Sequence, residues 1–194
     1  MFQIKRNQLQ HRYEMGDRDF SYLDLSGLNL ENMNLKGANL QGSNLKGTNL
    51  ENANLKGTNL INCNCYRVNL YKANLSDIDL SYANLKEGNC HRTRIENACL
   101  DYVCLERTDF SEAYVKTVSV RCARFYKTDL TDATLIDVNL TQAYVSEIYY
   151  SKLTRLTNCF KTEKSDLFEF LNKYSMQHDN GMDTTLDELQ LNFF

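Results

Sequence analysis

The sequence contains no proline and no tryptophan, only 3 histidines, and no long apolar run. Without proline no backbone N–H is lost, so nearly every residue is free to serve a hydrogen-bonded ladder. Without an apolar stretch of about 20 residues there is no membrane-spanning helix, and mean hydropathy is −0.52. Residues 1–7 lack the apolar core of a signal peptide. An excess of one charge is missing too. Residues 1–160 carry 19 Lys+Arg and 18 Asp+Glu, and residues 161–194 carry 3 and 7, which together give −3. A near-neutral body predicts no strong nucleic-acid binding. By length, 194 residues make one domain.

What is present is a period. Every fifth residue from Phe20 to Tyr150 is apolar, which makes 27 consecutive units with no insertion. Five helical steps advance by roughly 140°, so these positions would spiral around a helix. In a straight strand an odd spacing flips each side chain to the opposite face. Only a chain that turns once per unit returns every fifth residue to one interior. The residue two before each centre is mostly small or β-branched, as at Ala38, Ser43, Thr48 and Ala53, and shares the inward face. The residue between them is mostly Asn or Asp and points outward. The second residue after the centre is Gly or Asn in eight successive units, from Gly27 to Asn62. These types tolerate the positive φ of the third position of a type II turn. From Arg67 onward other residues take that position, which predicts a change of turn type.

Segments such as Ala38-Asn39-Leu40-Gln41-Gly42 and Ala53-Asn54-Leu55-Lys56-Gly57 resemble the A(N/D)LXX motif of the pentapeptide-repeat family. The resemblance covers about two-thirds of the chain and loosens between Cys90 and Val120. The entry segment Leu9 to Phe20 is similar to the opening of many cyanobacterial members. The resemblance implies an all-β solenoid: a right-handed quadrilateral β-helix with four units per coil and residues 20 apart stacked. With strands about 4.8 Å apart, 27 units would give about seven coils and a rod roughly 32 Å long. Four interior columns follow. The first runs Phe20, Leu40, Leu60, Leu80, Leu100, Val120, Leu140, Phe160. The others start at Leu25, Leu30 and Leu35.

The expected organisation is an N-terminal cap over 1–18, the β-helix over 19–160, and a helical C-terminal cap or tail over 161–194. Residues 3–14 are predicted to form a short helix, with Gly16 as its stop. In the tail, Ser165 can N-cap a helix carrying Leu167, Phe168, Phe170 and Leu171. Thr185 and Glu188 have capping-box spacing before Leu186, Leu189, Leu191, Phe193 and Phe194. The tail is expected to cover the open end of the last coil around Leu140, Val145 and Tyr150. A monomer is favoured over a C-terminal homodimer, the alternative use of the same apolar residues.

No catalytic constellation emerges. His11, His91 and His178 lie in separate segments, so no shared metal or nucleophile site is expected. Cys63-Asn64-Cys65 points both sulfurs inward, and the tight CxxC pairs of structural zinc sites are absent. Glycines recur as turn residues, not as a phosphate loop. No cofactor, metal or catalytic residue is therefore assigned, and no enzyme is expected. Cys65 and Cys90 are core positions, Cys63 fills a small-residue slot, and Cys99, Cys104 and Cys122 face outward. No two cysteines are 20 apart, which suits free thiols in a reduced, cytoplasmic protein.

Two surface features remain. Tyrosines occupy outward slots, with Tyr82, Tyr102, Tyr114 and Tyr144 as candidates for protein recognition. Asp109, Glu112, Asp129 and Asp132 form an acidic cluster by the 20-residue rule. Some pentapeptide-repeat proteins protect type II topoisomerases such as DNA gyrase by imitating DNA in size, shape and charge. That activity needs a strongly acidic long face. The neutral body favours instead a non-enzymatic scaffold for a protein partner, whose identity the sequence does not give.

Overall fold

A computed structural model describes residues 2–159. Among them the chain forms a parallel β-solenoid with one short helix. Its elements are β1 (Phe2–Gln3), α1 (Arg6–Glu14), β2 (Leu23–Asp24), β3 (Arg94–Glu96), β4 (Tyr114–Ser119), β5 (Arg124–Tyr126), β6 (Thr134–Asn139), β7 (Tyr144–Ser146) and β8 (Arg155–Thr157). Much of the pairing is by single bridges rather than named strands. One line of parallel pairs steps by 20 residues from Asp19 through Asn39, Asn59, Asp79 and Cys99 to Ser119, and β4–β6 pairing carries it to Asn139.

The period of five explains the packing. Phe20, Leu25, Leu30 and Leu35 begin four interior columns and are 0–1 % exposed, as are Leu40, Leu60 and Leu80. The small residue two before each centre is buried beside it. At Ser43, Thr48, Thr58, Cys63, Thr108 and Thr128 its side chain donates inward to a carbonyl 23 residues earlier, and at Thr93 to Cys90 O three residues earlier. Thr48 Oγ1 bonds Leu25 O at 2.7 Å, and Thr108 Oγ1 bonds Leu85 O at 2.9 Å. Every buried side-chain polar atom among the described residues is thereby satisfied. The outward Asn stitches the wall in two directions. Asn69 Oδ1 accepts the Tyr71 N–H at 3.1 Å and the Asn89 amide at 3.0 Å.

The expected change of turn conformation does not occur at the dihedral. Positive φ continues through Arg67, Lys72, Asp77, Tyr82 and onward to Glu147, at 51–61° over those residues. The interlocking ladder sets this angle. Most of these N–H groups donate to a carbonyl of the next coil, as Arg67 N does to Lys86 O at 3.1 Å, and Asp132 N donates instead to Ser151 Oγ at 3.3 Å. Residue preference yields to that bond. What changes is local: β4 and β6 each extend six residues across a corner, with Thr117 and Asp137 at the corner itself keeping φ 54°.

Two further expectations are corrected. The helix starts at Arg6, not at residue 3, because Phe2–Gln3 pairs in parallel with Leu23–Asp24 along the edge of the first coil. The register also slips by one after Tyr150. Leu156, not residue 155, pairs with Leu135. A local turn absorbs the extra residue: Thr154 N bonds Ser151 O at 3.1 Å and Leu153 N bonds Ser151 Oγ at 3.0 Å. Phe160, expected to stack on Leu140, lies outside the described residues, as does the tail over 161–194.

Candidate interaction surface

Side chains at the corners stand outward where a left-handed residue turns the chain from one wall to the next. At the corner that follows the Phe20 column, Tyr82 and Tyr102 stack with ring centroids 4.7 Å apart and planes within 3°. They remain 57 % and 51 % exposed. The Cys122 thiol, next along the same corner, donates to Gln142 Oε1 at 3.3 Å, and its nearness to the Tyr102 phenol raises the phenol's pKa. Tyr22 begins this corner and is 62 % exposed. Its ring lies over Gly42, where an added Cβ would come 2.5 Å from Tyr22 Cε1, so a larger residue there would displace the exposed ring. Sequence reasoning missed Tyr22, although its 20-residue phase with Tyr82 and Tyr102 was the signal.

The other tyrosine candidates lie elsewhere. Tyr114 is half-buried in β4, with the Arg94 guanidinium 5.4 Å above its ring. Tyr144 is exposed in β7 and pairs with Arg124 of β5. Only Tyr82 and Tyr102 of the four are brought together. A second stack, Tyr71 on His91 at 5.4 Å, occupies the corner that follows the Leu30 column.

The acidic candidates do converge, in two neighbouring lines. Asp109 pairs with Asp129 on one wall, and Glu112 and Asp132 stand at the corner beside them. Each carboxylate has a partner. Asp109 Oδ1 accepts from Ser111 N and Oγ at 2.8 and 2.5 Å. Asp129 accepts from Thr131 N at 2.8 Å, and Asp132 from the Ser151 hydroxyl. Glu112 receives Arg92 Nε at 2.7 Å, with His91 Nε2 at 3.8 Å.

Opposite charges alternate along the other corners as well. Glu87 sits between Arg67 at 2.8 Å and Arg107 at 3.7 Å. Glu106 sits between Lys86 at 3.0 Å and Arg124 at 2.6 Å. Asp101 meets Arg121 at 2.6 Å, and Glu147 meets Lys127 at 3.3 Å. Hydrogen bonds from Arg67, Lys86 and Arg92 hold Glu87, Glu106 and Glu112, respectively, below the usual carboxylate range. Pairs whose two partners are both exposed, such as Arg92–Glu112, add little stability each, whereas Asp101 is buried against Arg121. The consequence of these ion pairs is that Glu87, Glu106, Glu112, Asp101 and Glu147 are each answered by a base one coil away, while Asp109, Asp129 and Asp132 are held, among the described residues, by Ser and Thr donors alone.

All seven cysteines are free thiols. Cys63, Cys65 and Cys90 are buried, and the Cys63 thiol donates to Leu40 O at 2.9 Å. Burial pushes the Cys90 thiol far up. Among the described residues no three His, Cys, Asp or Glu side chains are grouped to hold a metal ion, and no helix is long and apolar enough to cross a membrane. An apolar recess lies at the C-terminal end of the described solenoid, lined by Leu130, Leu135, Leu140, Val145, Tyr150 and Leu156 among others. The cap or dimer candidates Leu186, Leu189, Leu191, Phe193 and Phe194 lie outside the described residues.

Solved structures similar to this chain include QnrB1, a plasmid-mediated fluoroquinolone resistance protein, at 16 % identity and TM-score 0.43, covering 79 % of this chain and 84 % of that one. HetL, a pentapeptide repeat protein involved in heterocyst differentiation regulation from the cyanobacterium Nostoc, is 19 % identical with TM-score 0.28, covering 80 % and 94 %. The pentapeptide repeat protein alr5209, also from Nostoc, is 20 % identical with TM-score 0.31, covering 77 % and 98 %. No curated protein matches the sequence. The family model described as pentapeptide repeats (8 copies) matches residues 19–52, 48–81 and 73–111. With the five-residue period, the inward Leu columns and the Asn-stitched walls, that match makes the chain a member of the pentapeptide-repeat family.

Proposed function

We propose that the protein is a non-enzymatic scaffold that binds a protein partner through the tyrosine corner, and that it works in the reducing cytoplasm. The observation that carries this reading is the Tyr82–Tyr102 stack, half exposed on a corner where Asp101 and Arg121 cancel each other. Stacking against each other already fixes both rings, so a partner would bury large amphipathic area at small entropic cost. The scaffold is taken as a right-handed, four-sided β-helix of about seven coils over 19–160. Residues 1–18 cap one end, and a helical segment over 161–194 follows the other. The opening Leu9 to Phe20 favours a cyanobacterial-type member. The protein is taken as a monomer in this reading.

The second reading is a DNA mimic that binds or protects DNA gyrase. The Asp109–Asp129 wall with Glu112 and Asp132 favours it locally. The ion pairs weigh against it, because mimicry needs a continuous acidic face and here Glu87, Glu106 and Glu112 each meet a base from a neighbouring coil. Gyrase supercoiling assayed with the purified protein separates the two. Unchanged supercoiling, with and without a quinolone, agrees with the scaffold. Inhibition of supercoiling or protection from the quinolone would displace it in favour of mimicry.

A further inference from the structure

The corner that follows the Leu25 column is cationic. With the outward wall residue before each centre included, its span from Lys46 to Lys127 carries Lys46, Arg67, Lys86, Arg107, Arg124 and Lys127 against Glu87 and Glu106, six bases to two acids. Asp24 and Glu147 stand at its two ends. Lys46, Arg67, Lys86, Arg107 and Lys127 come from five successive coils. The row of bases therefore runs without a gap for about 19 Å, at about 4.8 Å per coil.

The two acids lie beneath the bases. The side chains of Glu87 and Glu106 are 22 % and 13 % exposed, whereas those of Arg67, Arg107 and Arg124 beside them are 64 %, 55 % and 62 %. The carboxylates thus hold the cationic heads in place without covering them. Arg67 gives Glu87 only its Nε, at 2.8 Å, and Arg107 stands 3.7 Å from the same carboxylate. Tyrosines add a second support. The Tyr66 phenol donates to Glu87 at 2.9 Å, and Lys46 and Arg67 lie 5.7 and 4.9 Å from its ring centroid. Tyr126 holds Lys127 in the same way at 5.3 Å. Cations fixed by a ring or a buried carboxylate lose little further freedom when an anion arrives.

We propose that this corner binds an acidic stripe on an α-helix of a partner protein, laid along the solenoid axis. Carboxylates at i, i+4, i+7, i+11 and i+14 recur once per helical turn, about every 5.4 Å. The bases recur about every 4.8 Å, so over four steps the mismatch is about 2.4 Å, within the reach of Lys and Arg side chains. A helix, about 10–12 Å across, can sit on one corner. A wider polyanion such as duplex nucleic acid would overhang onto Asp109 and Asp129 of the next wall and Glu112 beyond them, whose like charge repels phosphate. The surface is separate from the Tyr82–Tyr102 corner, and binding here needs nothing from those rings.

The test is fluorescence anisotropy on the full chain with three labelled probes. One is a helical peptide of about four turns with glutamates in a single stripe. The second has the same composition with its glutamates spread around the helix, and the third is a duplex oligonucleotide. The striped peptide should bind the wild type, and more weakly as salt is raised. Arg67→Gln/Arg107→Gln should weaken that binding at least tenfold. Lys36→Gln/Lys56→Gln removes the same charge from another corner, and it should bind within about twofold of wild type, as should Tyr82→Ala/Tyr102→Ala. All these side chains are exposed, so each variant should keep the wild-type unfolding midpoint. Failure of the striped peptide to bind at low salt, equal binding of the spread peptide, or equal weakening by either control variant would overturn the proposal. Tighter binding of the duplex, lost in Arg67→Gln/Arg107→Gln, would overturn it too, by making nucleic acid the occupant.

Discussion

Thr117 is the least suited of the corner residues to its backbone. It is β-branched, exposed, and held in β4 at φ 54°. A left-handed conformation costs an L-residue roughly 1–2 kcal/mol, and a branched Cβ makes it worse. No side-chain hydrogen bond of Thr117 offsets that cost. Thr117→Asn, which tolerates the angle, should stabilise the protein by roughly 0.5–1 kcal/mol. Thr117→Gly relieves the same strain but adds unfolded-state entropy worth roughly 0.5–1 kcal/mol, so its gain should be smaller. The reverse experiment is Gly57→Thr. Gly57 stands at φ 67° with nothing within 4 Å of an added Cβ, so the cost is conformational alone, roughly 1–2 kcal/mol of destabilisation. Urea unfolding reads all three as shifts in midpoint at unchanged slope. A Thr117→Asn protein less stable than wild type by more than about 0.5 kcal/mol, a surface-substitution effect, would refute the claim that the ladder imposes this angle against residue preference.

Other expectations are more direct. Leu80→Asp places a carboxylate in a column where Leu80 is fully buried, and should cost more than about 4 kcal/mol in the same unfolding assay. Asp101 is raised by burial but lowered more by the Arg121 and Ser119 hydrogen bonds, so its pKa lies below the ordinary 3.8. Its stabilisation is therefore complete above that value and is lost as pH falls through the lower folded value. Wild-type stability should fall more steeply in acid than that of Asp101→Asn, and parallel pH profiles would contradict the pairing. A thiol reagent should modify Cys99, Cys104 and Cys122 in the native protein, and Cys63, Cys65 and Cys90 only after denaturation. Disulfides found by non-reducing mass mapping would also overturn the cytoplasmic assignment.

The interior was legible in the sequence because hydrophobic burial is periodic and each Leu reports its own place. The corners were not. Gly27 to Asn62 advertise positive φ, but Arg67, Lys72 and Tyr82 carry no such signal and adopt it because the hydrogen bond to the next coil leaves no other choice. The slip after Tyr150 was equally silent, since it rests on a turn that Ser151 and Thr154 make with each other, with no glycine or proline to mark it. On the surface the 20-residue rule located the acidic cluster, yet the same rule applied to both signs of charge would have paired Glu112 with Arg92 and Glu87 with Arg67. It would also have placed Tyr22 on the corner of Tyr82 and Tyr102. The tyrosines taken singly looked alike. Only the fold separates the stacked, exposed pair from Tyr114, which lies half-buried beneath Arg94.

Recognition of a protein through the tyrosine corner is tested most directly by affinity capture from the native cell with mass spectrometry, run in parallel with wild type and Tyr82→Ala/Tyr102→Ala. Both rings are surface groups, so the double variant should keep the wild-type unfolding midpoint. A protein enriched by the wild type and reduced at least tenfold with the variant is the predicted result. The same captured proteins at equal yield with both baits, or capture of nothing but nucleic acid, would contradict it.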